Sequence, residues 1–162
     1  MQEALTFVRR REHPHTLAVT LTLASMFSQS RRDEKLTQQY AEESIRLCTD
    51  QKFAQWLAIG QIFRGWAITG QGQREEGVDQ LCEGLAAHES TGGRFNQSYY
   101  LTLLADAYGK TGQIEKGCST LKEALAEVHR TGERRHEAEI YRLKGELLLA
   151  RAEKLKIESS GD

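Results

Sequence analysis

One feature limits the fold more than any other: the chain repeats itself at an interval of 40 residues. The segment GQREEGVDQLCEGLAAHESTG, 72–92, lies over GQIEKGCSTLKEALAEVHRTG, 112–132, without a gap, and ten of 21 positions are identical. The matches include Gly72/Gly112, Gly77/Gly117, Leu81/Leu121, Leu85/Leu125, Ala86/Ala126 and Gly92/Gly132. The same step extends both ways: Ser25, Gly65, Ala105 and Gly145 are all small, and Phe27, Ala67, Ala107 and Leu147 are all apolar. Recurrence at this length marks a row of supersecondary units, each burying its apolar face against the next. A small residue returning at one position lets a neighbouring helix come close, which offsets the helix-propensity cost of Gly65 and Gly145.

Each unit reads as two helices. Leu101, Leu104, Ala105 and Tyr108 fall at i, i+3, i+4 and i+7, and Leu121, Ala124, Leu125 and Val128 repeat the pattern. Between them Lys110-Thr111-Gly112-Gln113 is a short turn with glycine at the helix C-terminus, and Gly70-Gln71-Gly72-Gln73 is its counterpart one repeat earlier. So short a connection makes the two helices antiparallel. The spacing predicts helices at about 17–30, 34–50, 54–70, 74–90, 96–110, 114–130 and 136–154, with a further helix within 2–12 and a break at His13-Pro14-His15. It predicts one repeat domain over 1–154, with units at about 14–53, 54–93 and 94–133 and a half unit at 134–154. Residues 155–162 are expected to fray. The only proline is Pro14, and Leu, Ala, Glu, Gln and Arg dominate, which suits an all-α chain.

Composition excludes several functional classes. With 22 basic and 23 acidic residues the formal charge is −1, so nothing supplies the basic surface that nucleic acid requires. Arg9-Arg10-Arg11 and Arg31-Arg32 are each followed by acids and read as solvated helix ends. Cys48, Cys82 and Cys118 are too few and too scattered for a disulfide framework or zinc site, and they fit a reducing compartment. No apolar stretch approaches a membrane span, and the opening residues lack the apolar core of a secretory signal. A cytoplasmic location is expected. Gly70-x-Gly72-x-x-x-x-Gly77 lacks the spacing and the Lys-Ser/Thr of a phosphate loop, and reads as a hairpin turn. His13 with His15, and His129 with His136, are poorly placed to share a metal. A Cys118 pair with His129 or His88 is left open by spacing, with burial the better reading of the thiol. No enzyme activity, cofactor or metal is expected.

Leu104-Ala105-Asp106-Ala107-Tyr108, followed by Gly117, Leu121 and Ala124, resembles the tetratricopeptide (TPR) pattern. The second unit departs from it at Arg64, Ile68 and Gly84, and the first at Ala24, Ser28, Thr37 and Ser44. The resemblance implies an α-α superhelix, a right-handed TPR-like solenoid of about seven antiparallel-paired helices. GWAITGQGQREEG, LTLLADAYGKTGQIEKG and TGERRHEAEIYRLKGELLLA also look like the C-terminal repeats of large bacterial signalling proteins, in which a nucleotide cyclase or regulatory domain and a predicted ATPase precede the repeats. That implies a scaffold or sensory segment of a longer protein and transfers no catalytic residue.

In such arrays the first helix of each pair lines a concave surface. The register then places Trp66, Tyr99, Asp106, Lys110, Arg142 and Glu146 on a groove for a protein or peptide, including other domains of a parent chain. Aromatic residues and arginine are the usual anchors of interfaces. Trp56, near a helix start, is expected in the core between units. A second reading is self-association, a homodimer through an exposed C-terminal helix whose Leu143, Leu147, Leu148 and Leu149 lack a following helix. A small-ligand or enzymatic site is the third reading and has no residue cluster behind it.

Overall fold

The computed structural model describes residues 2–9 and 13–160. Among them are eight helices and no strand: α1 Gln2–Arg9, α2 Pro14–Ser30, α3 Glu34–Gln51, α4 Ala54–Gly70, α5 Arg74–Ser90, α6 Gln97–Lys110, α7 Ile114–Thr131 and α8 Glu137–Ser160. The chain forms two compact units, Met1–Arg94 and Phe95–Asp162. In the first, α1 packs on α2, each of α2, α3 and α4 packs on the helix after it, and α2 also touches α4. In the second, α6, α7 and α8 pack consecutively and α8 also reaches α6. Among the described residues, no helix is long and apolar enough to cross a membrane.

The helix ends follow local chemistry. Pro14 opens α2 three residues before the expected start, because its fixed φ suits a first helical turn that needs no amide donor. Asp33 caps α3, its carboxylate accepting from the Leu36 amide at 3.0 Å. The turns share one backbone device. Arg32, Lys52, Gly72, Gly92, Gly112 and Gly132 all have φ between 56° and 101°, and they stand 20 residues apart. Each breaks the right-handed helix with a left-handed residue, so each of α3 to α7 with its turn occupies the same length of chain.

Close helix approach rests on the small residues. A Cβ on Gly65 would lie 2.7 Å from the Gly77 carbonyl oxygen and 2.8 Å from the Leu81 amide nitrogen, so α4 and α5 meet backbone to backbone. Further along, Gly84 lies against Ala58 and Ile62. Early positions of α4 thus meet late positions of α5, and the pair is antiparallel. In the second unit Gly117 of α7 lies against Ala105 and Tyr108 of α6 and Leu147 of α8. Ala105, Leu121, Ala124, Val128, Ile140, Leu143 and Leu147 form its core. The first unit holds a cluster of Leu5, Leu21, Ala24 and Tyr40, and separately buries Ile62, Phe63 and Trp66. Each large side chain removed from water in this way contributes roughly 1.5–3 kcal/mol.

Three expectations need correction. Gly145 has nothing within 4 Å of an added Cβ, so no helix exploits its smallness. Leu143 and Leu147 are buried beneath α8, and only Leu148 and Leu149 of the four C-terminal leucines are exposed. The helix expected to end at 154 continues to Ser160. Lys154, Leu155, Lys156, Ile157 and Glu158 are compatible with helix and no glycine intervenes before Gly161, so nothing stops it. Residues 161 and 162, the end of the tail expected to fray, lie outside the described residues, as do 10–12 of the expected N-terminal helix.

Candidate functional site

The groove positions divide into two kinds. Trp66 is 1% exposed and Tyr99 6%, so neither presents the surface expected of a partner anchor. Both stand on helix faces that pack rather than faces that open. Asp106, Lys110, Arg142 and Glu146 are more open and belong to one unit, on α6 and α8.

They form a charged strip of two ion-pair groups, one on α6 and one on α8, linked by the charge of Asp106 acting on Arg142. Lys110 Nζ lies 3.2 Å from Asp106 Oδ2, one turn apart on α6. On α8 the Arg142 guanidinium donates from Nε and Nη2 to the two oxygens of Glu139 at 2.7 and 2.6 Å, and from Nη1 to Glu146. The hydrogen bonds to Glu139 hold the Arg142 pKa above its ordinary value, and the charges of Glu139, Glu146 and Asp106 add to this. Asp106 therefore acts on Arg142 from the neighbouring helix. Three carboxylates meet two cations, so the strip is acidic by one charge. Ion pairs this exposed stabilise by at most about 1 kcal/mol each, so the strip contributes little to the fold.

The sequence did not single out Glu139, or the aromatic pair beside it. The His136 ring stacks on Tyr99, centroids 4.3 Å apart and planes at 20°. Burial lowers the His136 pKa, the Arg135 charge adds to the effect, and Glu133 and Glu139 oppose it. Burial also raises the Tyr99 hydroxyl well above the usual phenol range, with Tyr100 and Glu139 contributing. Tyr100 is raised by burial as well, partly countered by a hydrogen bond from the Asn96 side chain. His136 precedes α8 and Tyr99 begins α6, so no periodicity within one helix could pair them.

The first unit contains a second polar network. Arg64 of α4 reaches Glu42 of α3 at 3.2 Å and Gln80 of α5 at 2.6 Å, with Glu76 at 3.6 Å. Glu42 also accepts from Gln38, which in turn accepts from Gln71. Arg64 occupies the position that holds Leu104 one repeat later, and an apolar contact is replaced there by a bridge across three helices. Trp56 is partly exposed and donates through Nε1 to His15 Nε2 at 3.2 Å, so it ties α4 to α2.

Among the described residues no group of three or more His, Cys, Asp or Glu side chains is placed to hold a metal ion. Cys118 packs against the core of its unit, and His129 lies eleven residues along the same helix, about 16 Å away at helical rise. Cys48 is buried, and burial raises its thiol pKa. Comparison with protein-family models and with curated proteins finds no match for this chain.

Proposed function

We propose that the chain is a non-catalytic, tetratricopeptide-like interaction module that binds a protein or peptide along the α6–α8 strip. The observation that carries this reading is the 40-residue recurrence joined to the packing of neighbouring helices within each unit, antiparallel at α4–α5. Repeats of this kind present long, rigid helix faces on which side chains are held for recognition. The right-handed TPR-like solenoid, the cytoplasmic setting and the origin within a multidomain bacterial signalling protein all belong to the same proposal. The strip is acidic by one charge, so its ligand is a segment bearing Lys or Arg. Rim charges of this kind act mainly on association rate and are weakened by salt.

A peptide array of matched basic, neutral and acidic helices tests the proposal. Basic members are retained, retention falls as salt is raised, and Asp106→Lys with Glu146→Lys abolishes it while the melting temperature is kept. Equal retention of acidic and basic members, or retention indifferent to the double substitution, refutes the assignment. So does nucleotide hydrolysis by the purified chain.

A further inference from the structure

The internal repeat provides two built examples of how the first helix of a pair seats the second. In α4 the seat is Ala58, Ile62, Gly65 and Thr69, and all four are buried under α5. Forty residues later Ser98, Thr102 and Ala105 of α6 are buried in the same way. Another forty residues on, the line is Ala138, Arg142, Gly145 and Leu149 of α8, and every member is exposed. The opposite side of α8, with Ile140, Leu143 and Leu147, is packed in its own core. From Arg151 to Lys156 every side chain is exposed. A helical end that buries nothing is marginal in water by itself.

The chain's own hairpin does not fill this seat. Left-handed residues recur every 20 positions from Arg32 to Gly132, but the next position is Ala152, inside α8. Among the described residues no turn returns a partner helix there. Instead the exposed face lengthens into a heptad pattern. Small residues Ala138, Gly145 and Ala152 stand seven apart, and so do large ones, Tyr141, Leu148 and Leu155. The three large side chains are 51%, 45% and 57% exposed. In an antiparallel pair, the two seam positions of a heptad face each other across the dyad. A second copy of α8 laid antiparallel therefore sets Ala138 against Leu155, Tyr141 against Ala152 and Gly145 against Leu148, and the dyad repeats all three. Every layer joins one large side chain to one small one, which lets the helices approach closely.

Charge favours the same orientation. The first turn of α8 carries Glu137 and Glu139, and its later turns carry Arg151, Lys154 and Lys156 against Glu153 and Glu158, a net positive end. An antiparallel copy brings each acidic end beside a basic end, whereas a parallel copy sets like against like. Lys144 and Arg151 of the two copies would face each other, but Arg151 is already bound to Glu115 at 2.8 Å, so a carboxylate stands at that contact.

We infer that two copies of this chain associate through an antiparallel, isologous α8–α8 contact along Ala138, Tyr141, Gly145, Leu148, Ala152 and Leu155. The contact borders the proposed peptide strip at Arg142, but its seam residues lie outside that strip, so the substitutions below test it separately. Sedimentation of the full chain from micromolar to near-millimolar concentration tests it. The 18.3 kDa species is expected to double in mass as concentration rises. Leu148→Glu and Gly145→Leu each abolish the doubling with helical content unchanged, since neither position touches the chain's own core. Mixing Gly145→Cys with Leu148→Cys chains gives an oxidised cross-link at that pair, mapped by mass spectrometry, which a parallel pairing cannot form. A strict monomer at the highest concentration overturns the inference, as does a dimer that survives both substitutions. A monomer that binds a synthetic Arg74–Ser90 peptide on this face also overturns it, and assigns the seat to a helix of another kind.

Discussion

Gly65 and Gly145 hold the same repeat position two units apart, and the structure gives alanine opposite signs at the two. In a helix interior, Gly→Ala contributes about 0.8–1 kcal/mol through lost unfolded-state freedom and better helix propensity. At Gly145 nothing opposes that gain, because an added Cβ meets no atom within 4 Å. At Gly65 the Cβ falls 2.7 Å from one backbone atom and 2.8 Å from another, well inside the 3.4 Å at which ordinary contact begins. Neither backbone atom can rotate away, so α4 and α5 must part. Overpacking of this kind costs about 1–3 kcal/mol. Gly145→Ala is therefore expected to stabilise by nearly 1 kcal/mol and Gly65→Ala to destabilise by about 1–2 kcal/mol. Urea unfolding followed by far-ultraviolet circular dichroism measures both. Tryptophan fluorescence isolates the Met1–Arg94 unit, since it holds both Trp56 and Trp66. Dilute protein keeps self-association out of the comparison. A destabilised Gly145→Ala, or a neutral Gly65→Ala, would refute the packing argument.

Trp66→Ala should cost about 3–5 kcal/mol, read as a lower urea midpoint, because the side chain is buried throughout. Lys52 caps α3 with φ at 58°, so Lys52→Gly should raise the melting temperature by relieving roughly 1 kcal/mol of left-handed strain. The His136 pKa is lowered in the folded chain, chiefly by burial. Its contribution is thus present above the unfolded histidine pKa, near 6.5, and is lost as pH falls through the lower folded value. His136→Phe should flatten the acid side of the stability profile, and a slope unchanged by the substitution would remove His136 as its source.

The helices were readable because their signals are local. Apolar spacing located α3 to α7 within a residue or two, and Gly72, Gly92, Gly112 and Gly132 announced their turns. Arg32 and Lys52 complete the same series without glycine, so composition alone could not reveal them. Of the proposed strip, what helical spacing made readable are the pairs within each helix, Asp106 with Lys110 on α6 and Arg142 with Glu146 on α8. Trp66 and Tyr99 were misassigned for a physical reason. A helical wheel tells which residues share a face, but what covers that face is decided by other elements. The same limit hid the Tyr99–His136 stack and the Arg64 bridge, each of which joins positions far apart in the chain.

The evenly spaced left-handed residues make the chain sensitive to counting. One residue inserted within a helix would rotate all that follows by about 100°, enough to swing an apolar side towards water. Residues added at Gly72 or Gly112 leave the phase of each helix alone, because the space around those turns is open. Grafts, tags and tolerated length variation therefore belong at these corners, where the fold can lengthen without losing its alignment.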